Sequence, residues 1–139
     1  MKNKFGWSLL LVTSAFLAAC SDSSSNSSDD IDVNTVSCTV KQNSNNVVKT
    51  EIIMGSQTEY TYTFDGDSVL VTSVMTFGSV WDQASIDEVC EDQKSNTDAT
   101  VTCESDKITV VTKEKNLFSN DLTLLDMDKE ADCKEFLAE

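Results

Sequence analysis

From Val33 to Phe77 apolar and polar residues alternate in short runs, the period of two that a half-buried strand requires. Residues 33–41, VNTVSCTVK, place Val36, Cys38 and Val40 on one face and Thr35, Ser37 and Thr39 on the other. The polar stretch QNSNN then predicts a loop, VVKTEIIM (47–54) a second strand, and Gly55-Ser56 a turn. In TEYTYTF (58–64) the aromatics Tyr60, Tyr62 and Phe64 share a face. Asp65-Gly66-Asp67 is a hairpin signal, because glycine tolerates the positive φ of tight turns, and SVLVTSVMTF (68–77) returns as a fourth strand. These segments predict an antiparallel meander.

The period then changes. In DQASIDEVCEDQKS (82–95) the residues Ile86, Val89, Cys90 and Gln93 fall at i, i+3, i+4 and i+7, one face of a helix. Its start is signalled either by Ser85 with Glu88 as a capping box or by the earlier Asp82. ATVTCES (99–105) and KITVVTKE (107–114) predict a second hairpin about Ser105-Asp106. DMDKEADCKEFLAE predicts a closing helix capped by Asp126 or Asp128, with Cys133, Phe136 and Leu137 on one face. The expected fold is α+β: an antiparallel β-meander with one helix between strand groups and a C-terminal helix, in the order β-β-β-β-α-β-β-α, over residues 33–139.

Cysteine adds covalent constraints to this picture. Beyond Cys20 the chain carries Cys38, Cys90, Cys103 and Cys133, an even number that reads as two disulfides in an exported protein. Zinc is the rival, but no CxxC pair and no histidine is present. A cysteine on the buried face of the first helix and one on the inner face of the next strand meet when helix packs on sheet. That favours Cys90–Cys103 and leaves Cys38–Cys133; the pairing Cys38–Cys90 with Cys103–Cys133 stays open.

The first residues set the expected compartment. Lys2 and Lys4 precede a largely apolar run, Phe5 to Phe16, too short to span a bilayer core of about 30 Å as a stop-transfer helix. It ends in Leu17-Ala18-Ala19-Cys20, which resembles the bacterial lipobox. The resemblance implies that residues 1–19 are a cleaved signal peptide and that the Cys20 thiol receives a diacylglycerol. Acyl chains add about 0.8 kcal/mol per buried CH₂, so the usual palmitate-type N-acylation beside the diacylglycerol would hold the chain on a membrane. Ser21 stands where an aspartate would favour retention in the inner membrane, so the expected location is the outer membrane of the cell envelope. Residues 20–32, rich in Ser, Asn and Asp, read as a tether with no core-forming side chains.

Charge and composition exclude more than they assign. The chain has a formal net charge of −14, and its basic residues are all lysine. Nucleic acid is therefore not an expected partner, since phosphate binding needs a basic surface. The lack of histidine removes Ser-His-Asp and Cys-His catalysis and the common histidine-ligated metals, and no phosphate-cradling glycine loop or nucleophile elbow occurs. DMDKEAD (126–132) sets acids at alternate positions like a calcium loop, but Ala131 stands where glycine is needed and Leu137 where a bidentate glutamate is needed, so helix capping is the better reading. No metal, cofactor or catalytic residue is expected.

The lipobox with the meander through YTFDGDSVLVTSVMTF, a helix and a hairpin resembles the small YehR-like bacterial lipoproteins. The resemblance implies an envelope lipoprotein of α+β fold and transfers no functional residue; the four cysteines go beyond it. The expectation is a lipid-anchored, non-catalytic binding or structural accessory domain, its partner an envelope protein or a polysaccharide. One alternative is a carbohydrate- or matrix-binding module that uses Tyr60, Tyr62 and Trp81 as exposed platforms, against the plainer reading of the first two as core and of Trp81 as a packing anchor. The other is a small acid-pair hydrolase, which requires a cleft with two carboxylates, one of raised pKa.

Overall fold

A computed structural model describes residues 31–139. The expected signal peptide, the expected lipidation site Cys20 and nearly all of the expected tether lie outside the described residues. The elements run β1 (Ser37–Gln42), β2 (Val47–Ile53), β3 (Ser56–Asp65), β4 (Ser68–Phe77), α1 (Gln83–Lys94), β5 (Thr100–Cys103), β6 (Lys107–Lys115) and α2 (Leu122–Ala138). The order β-β-β-β-α-β-β-α is the predicted one. All strands join one antiparallel sheet in the spatial order β1-β2-β3-β4-β6-β5. Helix α1 carries the chain past one strand position, so β5 forms the edge and β6 returns to pair with β4.

Two turns set the register of the meander. Met54 and Gly55 link β2 to β3 with φ of 54° and 73°. A Cβ on Gly55 would stand 2.6 Å from Cγ2 of Val80, so both the backbone and the space demand glycine there. Gly66 at φ 63° opens the two-residue link from β3 to β4, as the hairpin signal predicts.

Both helices cover the same face of the sheet. Helix α1 packs Ile86, Val89 and Cys90 against Met75, Phe77, Ile108 and Val110. Leu125 of α2 packs against Val47, Tyr62, Val69 and Val71. Along β4 the positions alternate buried and half-buried without a break, which is how a period of two delivers one side chain in two to the helices. Each fully buried branched side chain, such as Ile108 or Val69, contributes roughly 1.5–3 kcal/mol. Cys90–Cys103 staples α1 to β5 and Cys38–Cys133 staples β1 to α2, with Cα separations of 6.1 and 5.4 Å. The favoured pairing is the observed one.

Three local expectations change. The first strand starts at Ser37, not Val33, because Asp32 to Thr35 forms a turn: the Asp32 carbonyl accepts from the Thr35 N–H at 3.0 Å and its carboxylate from the Asn34 N–H at 2.8 Å. Val36 is consequently exposed while Cys38 and Val40 face α2. The last helix begins at Leu122 with Asp121 as its cap, accepting from the N–H groups of Thr123 and Leu124 at 2.9 and 3.3 Å. Asp126 and Asp128, expected as caps, lie inside that helix, and DMDKEAD is helical throughout. Leu137, expected on the buried face, is exposed; the buried seam of α2 is Leu125, Lys129 and Cys133. For α1 the cap is Asp82, which accepts from the Ser85 N–H at 2.8 Å, a bond that holds its carboxyl below the usual carboxylate range.

Candidate functional site

The layer between α2 and the sheet holds the unusual chemistry of the molecule. Strand β2 turns Val47, Lys49 and Glu51 inward. Lys49 and Glu51, two residues apart on one strand, share that face and form an ion pair at 2.9 Å between Nζ and Oε2. Glu51 is 1% exposed and its Oε1 has no hydrogen-bond partner. Cross-strand neighbours close the site: Cys38 on β1 and Thr58 on β3 flank Glu51, and Tyr60 lies beside Lys49.

Tyr60 and Tyr62 stack with ring centroids 6.2 Å apart, and each ring receives an ammonium. Lys49 Nζ sits 4.7 Å from the Tyr60 centroid, and Lys129 Nζ, from α2, sits 4.6 Å from that of Tyr62. Lys129 also pairs with Asp128 at 3.1 Å and Asp132 at 3.4 Å. The aliphatic stem of Lys129 thus occupies a core position while its head bridges a buried ring and two rim carboxylates.

These surroundings move two protons. Burial raises the Glu51 pKa to about 7, the Lys49 ammonium and its hydrogen bond pull it down by less, and Asp132 raises it further. Burial pushes the Tyr62 hydroxyl well above its ordinary value, with the carboxylates Glu114, Glu51, Asp132 and Asp128 acting in the same direction. Glu51 can therefore exchange a proton near neutral pH, but it is sealed beneath α2 and out of a substrate's reach. A shallow groove of about 270 Å³ opens beside it at the β1–α2 seam, lined by Cys38, Val40, Glu130, Cys133, Lys134 and Leu137.

The sealed carboxyl has a pH signature. The native pKa lies above the unfolded value of 4.5, so the folded state holds this proton more tightly. The stability it contributes is fully present below pH 4.5 and is lost as pH rises to about 7, on the order of 3 kcal/mol in all. Glu51→Gln is expected to remove that slope. Its unfolding free energy relative to the parent should rise between pH 5 and pH 8, and an unchanged difference across that range would contradict the assignment.

The structure brings Tyr60 and Tyr62 together but separates them from Trp81. Tyr62 is buried and Tyr60 half-buried against the α2 cluster, in keeping with the plainer reading of both as core, and the exposed platform of the carbohydrate-binding alternative does not form. Trp81 packs edge-on against Phe77 at 5.0 Å between centroids in the other apolar cluster, and its Nε1 donates to the Met54 carbonyl at 2.8 Å. Lys49, Glu51 and Lys129 were not singled out from sequence. The available signal was their period: in VVKTEII the pair shares a face with Val47, yet Val48, Thr50 and Ile52 on the opposite face look the more apolar choice for the core. Among the described residues no group of three or more acidic or cysteine side chains is placed to hold a metal ion. None of their helices is long and apolar enough to cross a membrane. No known protein family, curated protein or solved structure matches the chain.

Proposed function

We propose that the chain is a lipid-anchored accessory domain of the bacterial cell envelope that acts by binding or structural association, without catalysis. The observation that carries this reading is the pair of disulfides, one for each helix among the described residues. Bridges that fasten both described helices to the sheet suit an oxidising compartment, where thiols are not kept reduced. The sequence Leu17-Ala18-Ala19-Cys20 supplies the anchor on this reading, and the order of elements fits its likeness to YehR-like lipoproteins. The raised pKa of Glu51 meets one requirement of the acid-pair alternative, but its burial denies it the cleft that alternative needs.

Fractionation tests the anchor. Expressed in a bacterium, the parent chain should sediment with membranes and incorporate labelled palmitate. Cys20→Ala should lose the label and move out of the membrane fraction. Equal labelling of both chains would refute the lipidation site.

A further inference from the structure

Three segments meet at one end of the sheet. Met54 and Gly55 turn β2 into β3, Gly78 to Trp81 lead from β4 towards α1, and Ile31 to Val33 bring the chain in towards β1. They converge on Gly55. A Cβ there would lie 2.6 Å from Val80 Cγ2, 3.3 Å from Val33 Cγ1 and 3.5 Å from the Ile31 carbonyl oxygen. The Gly78 N–H donates to the Gly55 carbonyl at 2.8 Å, and the Trp81 indole N–H donates to that of Met54. Hydrogen bonds thus hold the β2–β3 turn and the β4–α1 link as one unit.

That end is apolar and faces solvent. Val33, Met54 and Val80 are 44%, 60% and 58% exposed. Val36, also exposed, stands at the same end, since the next residue, Ser37, pairs with Ile52. The other exposed large apolar side chains among the described residues, Leu117, Leu124, Met127 and Leu137, lie in or just before α2, interspersed with carboxylates. A cluster of exposed apolar side chains around one turn marks a contact surface. Trp81 backs this one: its ring packs on Phe77 and the α1 cluster while its N–H stays with the turn.

The path of the chain argues for what covers the patch. Residues 21–30 separate Cys20 from Ile31, a span of at most about 40 Å when fully extended. The opposite end of the sheet lies a strand length further on, about 34 Å for the ten residues of β4. With Cys20 acylated, the patch is the part of the domain held nearest the bilayer. Tethering makes its contact intramolecular, so a weak affinity suffices. We infer that Val33, Met54 and Val80 enter the interface of the bilayer that carries the anchor and seat this end of the sheet on lipid. This seating rests on the proposed lipid anchor. Trp81, with an apolar ring and a polar N–H, suits that depth. Asp32, Asp82, Glu104 and Asp106 stand at this end against Lys107. Zwitterionic headgroups, which offer ammonium groups, therefore suit it better than an anionic surface. Two copies meeting through this end would oppose the same carboxylates, which disfavours a second copy as the occupant.

Trp81 itself can report the contact. In the full chain carrying Trp7→Phe it is the only tryptophan. That chain, purified from bacterial membranes, is reconstituted into phosphatidylcholine vesicles whose lipids are brominated on the upper acyl chain. Trp81 emission should fall at least about twofold against vesicles of unbrominated lipid, and by less when phosphatidylglycerol is mixed in. Val33→Ser/Met54→Asn/Val80→Ser should abolish the quenching at an unchanged thermal midpoint, asparagine being suited to the positive φ of 54° at Met54. Leu117→Ser/Leu124→Ser, outside the patch, should be quenched like the parent. Equal emission from the parent in both vesicles, or quenching kept by the triple variant, would overturn the seating. So would a parent dimer that the triple variant dissolves, with no quenching in either. Palmitate label on the same preparation keeps the two proposals apart. Label without quenching overturns the seating alone, and quenching without label overturns the anchor and leaves the lipid contact standing.

Discussion

Cys38→Ala combined with Cys133→Ala is expected to lower the unfolding free energy by about 4–5 kcal/mol, the largest loss of any double substitution to alanine considered for this chain. The bridge closes a loop with a sequence separation of 95, against 13 for Cys90–Cys103, whose removal should cost about 3 kcal/mol. The difference follows from how much each link restricts the unfolded chain. The native side points the same way. Helix α2 rests on a seam of Leu125, Lys129 and Cys133, one position of which carries a charge, so the covalent tie to β1 supplements its apolar packing. Total stabilities of small domains are about 5–15 kcal/mol, so the first variant is expected to be partly unfolded at 37 °C. Urea midpoints of the two double variants check this. A larger loss from the short loop would show that native packing, not chain constraint, sets the order.

Lys49→Met is expected to cost about 3–5 kcal/mol at pH 8, because it strands Glu51 as a buried carboxylate with no cation beside it. The loss should shrink at pH 5, where a carboxyl of pKa about 7 is protonated and needs no partner. Lys49→Met/Glu51→Leu should then recover the parent stability or exceed it, since apolar groups of similar volume satisfy the layer without desolvating charge. Denaturation of both variants at the two pH values decides the matter. Additive losses in the double variant would mean that the pair stabilises the fold beyond compensating its own burial.

This pair also marks where the sequence ceases to be readable. The strands, the first helix and the two bridges follow from local rules: alternation, glycine at positive φ, and cysteines on facing sides of a helix and a strand. Lys49 and Glu51 do not, because their burial is settled by which face of β2 receives α2. That choice is tertiary. It is fixed by Val47 and Tyr62 meeting Leu125 and by Cys38 meeting Cys133, contacts whose other partners all lie outside β2. The same choice puts Tyr60 and Tyr62 in a covered layer, as the core reading of them expects, and leaves no platform for the alternative. The start of α2 was misplaced for a simpler reason. Asp121, Asp126 and Asp128 are all competent caps, and only the chain path through Phe118 and Leu122 into the core selects the first.

The most direct test of the envelope-lipoprotein reading is the intact mass of the full chain purified from bacterial membranes without reductant. The account predicts a polypeptide starting at Cys20, heavier than residues 20–139 by the mass of a diacylglyceryl group and an acyl group, and four hydrogen atoms lighter through its two disulfides. A chain that retains residues 1–19, or one that starts elsewhere with Cys20 unmodified, would contradict it.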